Sequence, residues 1–304
     1  MCLPPIAYCL LPSAFCLLLV ERMADESRTS DRPRVGLALS GGAARGIAHV
    51  GVLRALEEHD IPIYAIAGAS AGALVGGAYA AGMSIAQLEA LAREFRWRHT
   101  ARFSFSRLGL QSNARMEQFL RARLPVTRFE ELKIPFAAMV TDLRSGTPMA
   151  LRDTGDVAFA IRASGCLPAL YVPVRDADGR LLVDGGLVAN LPISYTRELG
   201  ADIVIAVDVG ADGARFMDRP RTALGVLMQT FVAVERIVSN QESHKADLII
   251  APRVGHIRWD QTRRADELLK VGYDAAQELM PTIKELIEQR TFTLTRMASE
   301  AILS

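Results

Sequence analysis

Cysteine, aromatic residues and net charge are all scarce in this chain of 304 residues, and each shortage closes off a class of protein. Of its 4 cysteines, Cys2, Cys9 and Cys16 sit at the extreme N-terminus, so the body holds Cys166 alone and cannot close an internal disulfide. Lys and Arg total 35 against 34 for Asp and Glu, and a formal charge of +1 supplies no field that would draw the chain to nucleic acid. Aromatics make up 6% and apolar residues 50%, a mixture led by Ala, Leu, Val and Ile that suits a close-packed core and argues against disorder. A clean membrane span is missing too. The first twenty residues are uncharged and apolar, but Pro4, Pro5 and Pro12 interrupt them, no Lys or Arg precedes them and no small-x-small cleavage site follows. Two readings stand for this leader: a start of translation at Met23, which goes with a reducing cytoplasm, or a genuine segment that exports or anchors the protein.

The body alternates apolar runs with helical spacing. Val35 to Leu39 reads as a buried strand, and a helix follows in which Ile47, Val50, Leu53 and Leu56 recur at three-residue steps. Ile63 to Ala67 is a second strand, followed by a small-residue helix that Gly82 stops. Further strands are expected at Phe136 to Thr141, Pro148 to Leu151, Leu181 to Val183, Ile203 to Val207 and Leu248 to Ile250. Helices are expected at Val157 to Ala163, Thr222 to Ser239 and Thr262 to Gln289. Strands alternating with helices predict a single α/β domain with a mostly parallel central sheet layered by helices on both faces. Two amphipathic helices, Ser84 to Phe95 and Asn113 to Leu124, open on residues suited to cap them and could cover a site entrance. Between them, Arg96 to Leu110 is basic and aromatic. It reads either as a flap that touches anionic lipid headgroups or as a solvated loop.

Three loops follow strand-like runs and could meet at one edge of such a sheet. Gly68-Ala69-Ser70-Ala71-Gly72 has the layout of a nucleophile elbow, where a sharp strand-to-helix turn pushes Ser70 outward and Gly68 and Gly72 leave the backbone room. Gly41-Gly42-Ala43-Ala44-Arg45-Gly46 would supply backbone amides to an oxyanion, one such donor being worth about 3 kcal/mol of barrier. It lacks the Gly-Lys-Ser/Thr ending of a phosphate-binding P-loop, and Ala43 stands where a dinucleotide fingerprint needs glycine. For the base, Asp184 ends an apolar strand and Gly185 and Gly186 leave room for close backbone approach. An ordinary carboxylate is a feeble base at neutral pH, so burial would have to raise it. His256, in a loop, is the alternative and would make a Ser-His-Asp triad.

With these three motifs in this order, the chain resembles the bacterial patatin-like phospholipases, over roughly residues 34 to 210. Ala163-Ser164-Gly165-Cys166-Leu167-Pro168 and Asn190-Leu191-Pro192 are similar as well. The resemblance implies a lipid acyl hydrolase with a Ser70-Asp184 dyad, an oxyanion hole on the Gly41 to Gly46 loop, and no metal or cofactor. It divides the chain into a leader and polar segment (1–33), a catalytic core (34–210) and C-terminal elements completing the same domain (211–304). The expected partners are a fatty acyl ester or phospholipid, with peripheral membrane contact and no nucleic acid. Many members carry a third glycine where this chain has Ala43; if that position needs a positive φ, alanine costs about 1 to 2 kcal/mol. A non-catalytic acyl-lipid binder is the reading from another class.

Overall fold

The computed structural model describes residues 32–96, 101–213 and 219–303. The apolar leader and Trp97 lie outside them. By its contacts the chain divides into a unit of Arg34–Lys284 and a second of residues 1–33 with Glu285–Ser304. The latter's described part is chiefly the end of the last helix, and the larger unit holds both sheets.

The strands are β1 (Val35–Leu39), β2 (Ile63–Ala69), β3 (Arg102–Phe103), β4 (Gly109–Ser112), β5 (Phe136–Asp142), β6 (Pro148–Leu151), β7 (Ala169–Tyr171), β8 (Val174–Arg175), β9 (Leu181–Asp184), β10 (Ile203–Val207) and β11 (Leu248–Ile250). The helices are α1 (Ala48–Glu58), α2 (Ala71–Ala80), α3 (Ile85–Glu94), α4 (Ala114–Arg121), α5 (Val157–Ser164), α6 (Gly186–Ala189), α7 (Ile193–Glu198), α8 (Ala223–Ser243) and α9 (Ala265–Leu303). Hydrogen-bonded neighbours in the main sheet run β11-β10-β1-β2-β5-β9-β8, with β6 also on β5, and β3-β4-β7 form a small second sheet. From β11 to β5 every pairing is parallel. Every residue of β1 and of β10 is buried, as uninterrupted apolar runs covered on both faces require.

The fold class and the seven strand runs read from the sequence agree with the structure. Strands β3, β4, β7 and β8 and the short helices α6 and α7 carry no readable period, because pairing with distant segments creates them. One cap differs from expectation. Ser84 closes a capping box with Gln87, whereas Asn113 makes no cap bond and is buried against Arg162, donating to its carbonyl and accepting from its Nε.

Strand β9 departs more consequentially, since it runs antiparallel to β5. Register shows how its end still reaches Ser70. Ala138 pairs with both Gly68 and Leu151, so β6 holds one edge of β5 and β2 the other. Val140 pairs with both Met149 and Asp184, so β9 lies on the same edge as β2. The two strands meet head to head: β2 ends at Ala69 opposite Met139, and β9 ends at Asp184 opposite Val140. One residue step of β5, about 3.3 Å, separates the two endings.

Candidate active site

Ser70 leaves β2 at φ 51°, ψ −115°, a backbone conformation that costs a non-glycine residue of the order of 1 to 3 kcal/mol. The surroundings hold it there. Its amide donates to Ser164 Oγ at 2.9 Å, and its carbonyl accepts from Leu74 in the first turn of α2. A Cβ on Gly68 would lie 2.5 Å from the carbonyl carbon of Gly72, and one on Gly72 would lie 2.6 Å from the carbonyl carbon of Leu39, so the turn closes only if both stay glycine.

Asp184 is fully buried. Its Oδ1 accepts the Gly186 amide at 2.8 Å, while its own backbone is fixed by Cys166 and by the Thr141 hydroxyl. Oδ2 is buried with no hydrogen bond of full geometry, yet the Ser70 hydroxyl is near enough to draw the pKa of the carboxyl down. The two side chains are therefore juxtaposed with the bond between them not closed. Burial dominates all else and pushes Asp184 from 3.8 up to about 7, against the pull of the Gly186 amide and the Ser70 hydroxyl.

The glycine loop narrows the set of amide donors. Gly41 N–H donates to Asn190 Oδ1 at 3.1 Å, Ala44 N–H to the Trp259 carbonyl at 2.9 Å, and Arg45 N–H to the Gly42 carbonyl. The amides of Gly42 and Ala43 have no protein acceptor among the described residues. Ala43 has φ 52°, the left-handed conformation in which the missing third glycine matters. The loop is anchored below by Ser40, whose Oγ accepts from Val209 and whose carbonyl is 2.9 Å from His49 Nε2. Burial lowers His49 to about 4, so it is neutral.

One buried side chain packed against both loops escaped the sequence reading. Glu235 on α8 is buried, and a Cβ on Gly41 would come within 3.1 Å of its Oε1 and one on Gly186 within 2.6 Å. Its carboxyl is thus wedged between the glycine loop and the loop after Asp184. Burial first, and then the charge of Asp184, raise it well above the usual carboxylate range, with Arg45 pulling the other way. Arg45 is itself buried; that lowers its pKa while Glu235, Asp212 and Asp208 oppose, and an arginine stays charged throughout. The legible signal was an acid on the apolar face of a helix, in step with Met228, Phe231 and Ser239. Similarly, Asn190 Nδ2 reaches Ser239 Oγ at 2.9 Å and ties the glycine loop to α8.

Three cavities meet here. Two, of about 480 and 490 Å³, are lined almost wholly by apolar side chains and share Ala43, Ala71, Leu74 and Phe95; the second includes Ser70. A third, of about 360 Å³, contains Ser70, Arg45, Glu235 and Trp259 and is more polar. His256 lines none of these; it is exposed and bonds Glu267 at 2.9 Å. Among the described residues no three His, Cys, Asp or Glu are grouped to hold a metal ion. Nor is any described helix long and apolar enough to cross a membrane.

The family model of patatin-like phospholipases matches residues 37–197, more than half of the chain. The chain belongs to that family. An uncharacterized NTE family protein of Mycobacterium tuberculosis is 38% identical over 190 residues, covering 62% of this chain and 52% of that protein. A lysophospholipase of Emericella nidulans is 33% identical over 183 residues, 58% of this chain and 12% of that one. The chain therefore spans about half the length of the mycobacterial relative and a small part of the fungal one. Among solved structures, VipD from Legionella pneumophila aligns with TM-score 0.49 at 16% identity, over 83% of this chain and 67% of that one. Human GIVD cytosolic phospholipase A2 aligns with TM-score 0.48 at 11% identity, over 87% and 60%.

Proposed function

We propose that the protein is a serine lipid acyl hydrolase working through a Ser70-Asp184 dyad. The observation that carries this reading is the head-to-head ending of β2 and β9 on one edge of β5, which sets the strained serine beside a buried carboxyl with one free oxygen. Asp184 Oδ2 takes the Ser70 proton as Oγ bonds to the acyl carbon, and the Gly42 and Ala43 amides receive the oxyanion. Collapse breaks the ester bond, and the leaving alkoxide takes the proton from Asp184. Water then attacks the acyl-serine, gives its proton to Asp184 and releases the fatty acid, and Ser70 is protonated again.

The apolar cavities suit the acyl chain, and the cavity with Arg45 and Glu235 suits the polar leaving alcohol. The name of the fungal relative makes a lysophospholipid the first natural substrate to assay. Ser70→Ala and Asp184→Asn are each expected to lower hydrolysis of a short-chain nitrophenyl ester at least about 1,000-fold with the fold intact by circular dichroism. A fluorophosphonate should label Ser70 in the wild type. Labelling at another serine, or full activity in either variant, would refute the dyad; lipid binding without labelling would favour a non-catalytic binder.

A further inference from the structure

The basic, aromatic segment that the proposed chemistry leaves unused forms the hairpin β3-β4, with Arg102 opposite Ser112 and Phe103 opposite Gln111. Its tip is an ordered turn, since the Ser106 amide donates to Ser104 Oγ and the Leu108 amide to Ser106 Oγ. This turn holds large apolar side chains outward. Phe105 is 97% exposed, Phe103 68%, Leu108 57% and Leu110 49%, and the two phenyl rings meet edge to face at 5.3 Å. Scattered single apolar residues need no explanation, but four in eight positions of one hairpin make a patch of the kind that marks a binding surface.

Charge says what surface it fits. Between Glu94 and Glu117 the sequence has five arginines and no acid. Arg102, Arg107 and Arg115 are exposed, and none forms an ion pair with a carboxylate among the described residues. Apolar tips beside unpaired cations match the two layers of an anionic bilayer, acyl region and headgroups, better than they match a protein groove. Position agrees. The segment lies in sequence between Phe95 and Met116, both of which line the cavity holding Ser70. On its far edge β4 pairs with β7, Gln111 opposite Tyr171, and Tyr171 and the preceding Leu167 line the same cavity. The patch therefore stands on the rim of the cavity mouth.

The geometry points to the β3-β4 hairpin as an interfacial anchor that seats the cavity mouth on an anionic lipid surface. Phe103, Phe105, Leu108 and Leu110 enter the acyl boundary, and Arg102, Arg107 and Arg115 contact headgroup phosphates. This deepens the proposed function by assigning its partner surface, and it rests on that reading for its purpose only, because binding is measured without turnover.

The test is co-sedimentation of the full chain with phosphatidylcholine vesicles, with and without phosphatidylglycerol, for the wild type, Phe105→Ser/Leu108→Ser and Arg102→Glu/Arg107→Glu. The wild type should bind the phosphatidylglycerol vesicles, and each double variant should bind at least about tenfold more weakly. All three should hydrolyse a soluble nitrophenyl ester within about twofold of one another, which keeps loss of anchoring apart from loss of folding or catalysis. Wild-type binding in either double variant overturns the assignment, as does a wild type that ignores both vesicles. So does self-association that Phe105→Ser/Leu108→Ser abolishes while vesicle binding persists. An inactive wild type that still binds as described would sink the hydrolase reading and leave the anchor standing.

Discussion

The dyad makes a sharp claim about pH, because the same burial that arms Asp184 as a base also makes its charge expensive. With Asp184 at about 7, the base form falls to roughly 1% of the enzyme at about pH 5. On a soluble nitrophenyl ester, kcat/KM should therefore drop about tenfold per pH unit below 7 and level off above it. A carboxylate at its ordinary 3.8 would give a flat profile from about pH 5 to 8. Stability should move the opposite way. The folded state keeps its proton over the window from 3.8 to about 7 while the unfolded chain has lost it, so ionisation opposes folding and stability declines as pH rises through that window. At about 1.36 kcal/mol per pKa unit, the full penalty is roughly 4 kcal/mol, reached just above pH 7. Asp184→Asn removes the charge yet can keep the Gly186 amide on its oxygen. It should exceed the wild type in urea denaturation by about 1 to 2 kcal/mol near pH 5 and by about 4 kcal/mol near pH 8, while being inactive at both. A flat rate profile, or an Asn variant no more stable than the wild type at the higher pH, would show that desolvation does not govern this carboxyl.

Two further substitutions probe the groups around the dyad. Burial and the charge of Asp184 both raise Glu235 and so favour its protonated form, which Glu235→Gln mimics in shape. It should keep kcat/KM within about threefold and leave the pH midpoint in place, whereas a loss beyond about tenfold would mean that Glu235 is ionised against Arg45. Ala43→Gly removes a left-handed alanine, a gain of about 1 to 2 kcal/mol, offset by about 0.4 to 1 kcal/mol of unfolded-state entropy. A thermal melt should rise by about 1 to 3 °C, and an unchanged or lower Tm would show that the loop relaxes around the methyl group.

The long apolar strands were legible because burial on both faces of a parallel sheet leaves no polar position to break the run, as in Val35 to Leu39 and Ile203 to Val207. Ser70, the glycine loop and Asp184 were legible because tight turns demand small residues at fixed offsets from a strand. Which loop amides have no acceptor was not, since that depends on Asn190 and Trp259, far away in the chain. Glu235 was hidden for the same reason: nothing near it in sequence says that α8 lays it against Gly41 and Gly186.

The direction of β9 is the most instructive gap. An apolar run before Asp-Gly-Gly reads equally well as a strand of either sense, and a parallel sheet suggests that functional residues gather past the strands' carboxyl ends. Asp184 reaches Ser70 by another route. β2 stops pairing at Ala69, leaving Val140 to Asp142 of β5 without a partner on that edge, and β9 fills the vacancy from the opposite end. Two chain ends that converge on one edge must both turn away at the junction, and turning away is what Ser70 and Gly185 do. Those turns free the side chains and amides beside them from the ladder and leave the part-buried Ser70 next to the buried Asp184. In this fold the site is therefore the place where the sheet changes sense, and a single register slip of β9 on β5 would carry the carboxyl to the other face of the sheet and separate the dyad.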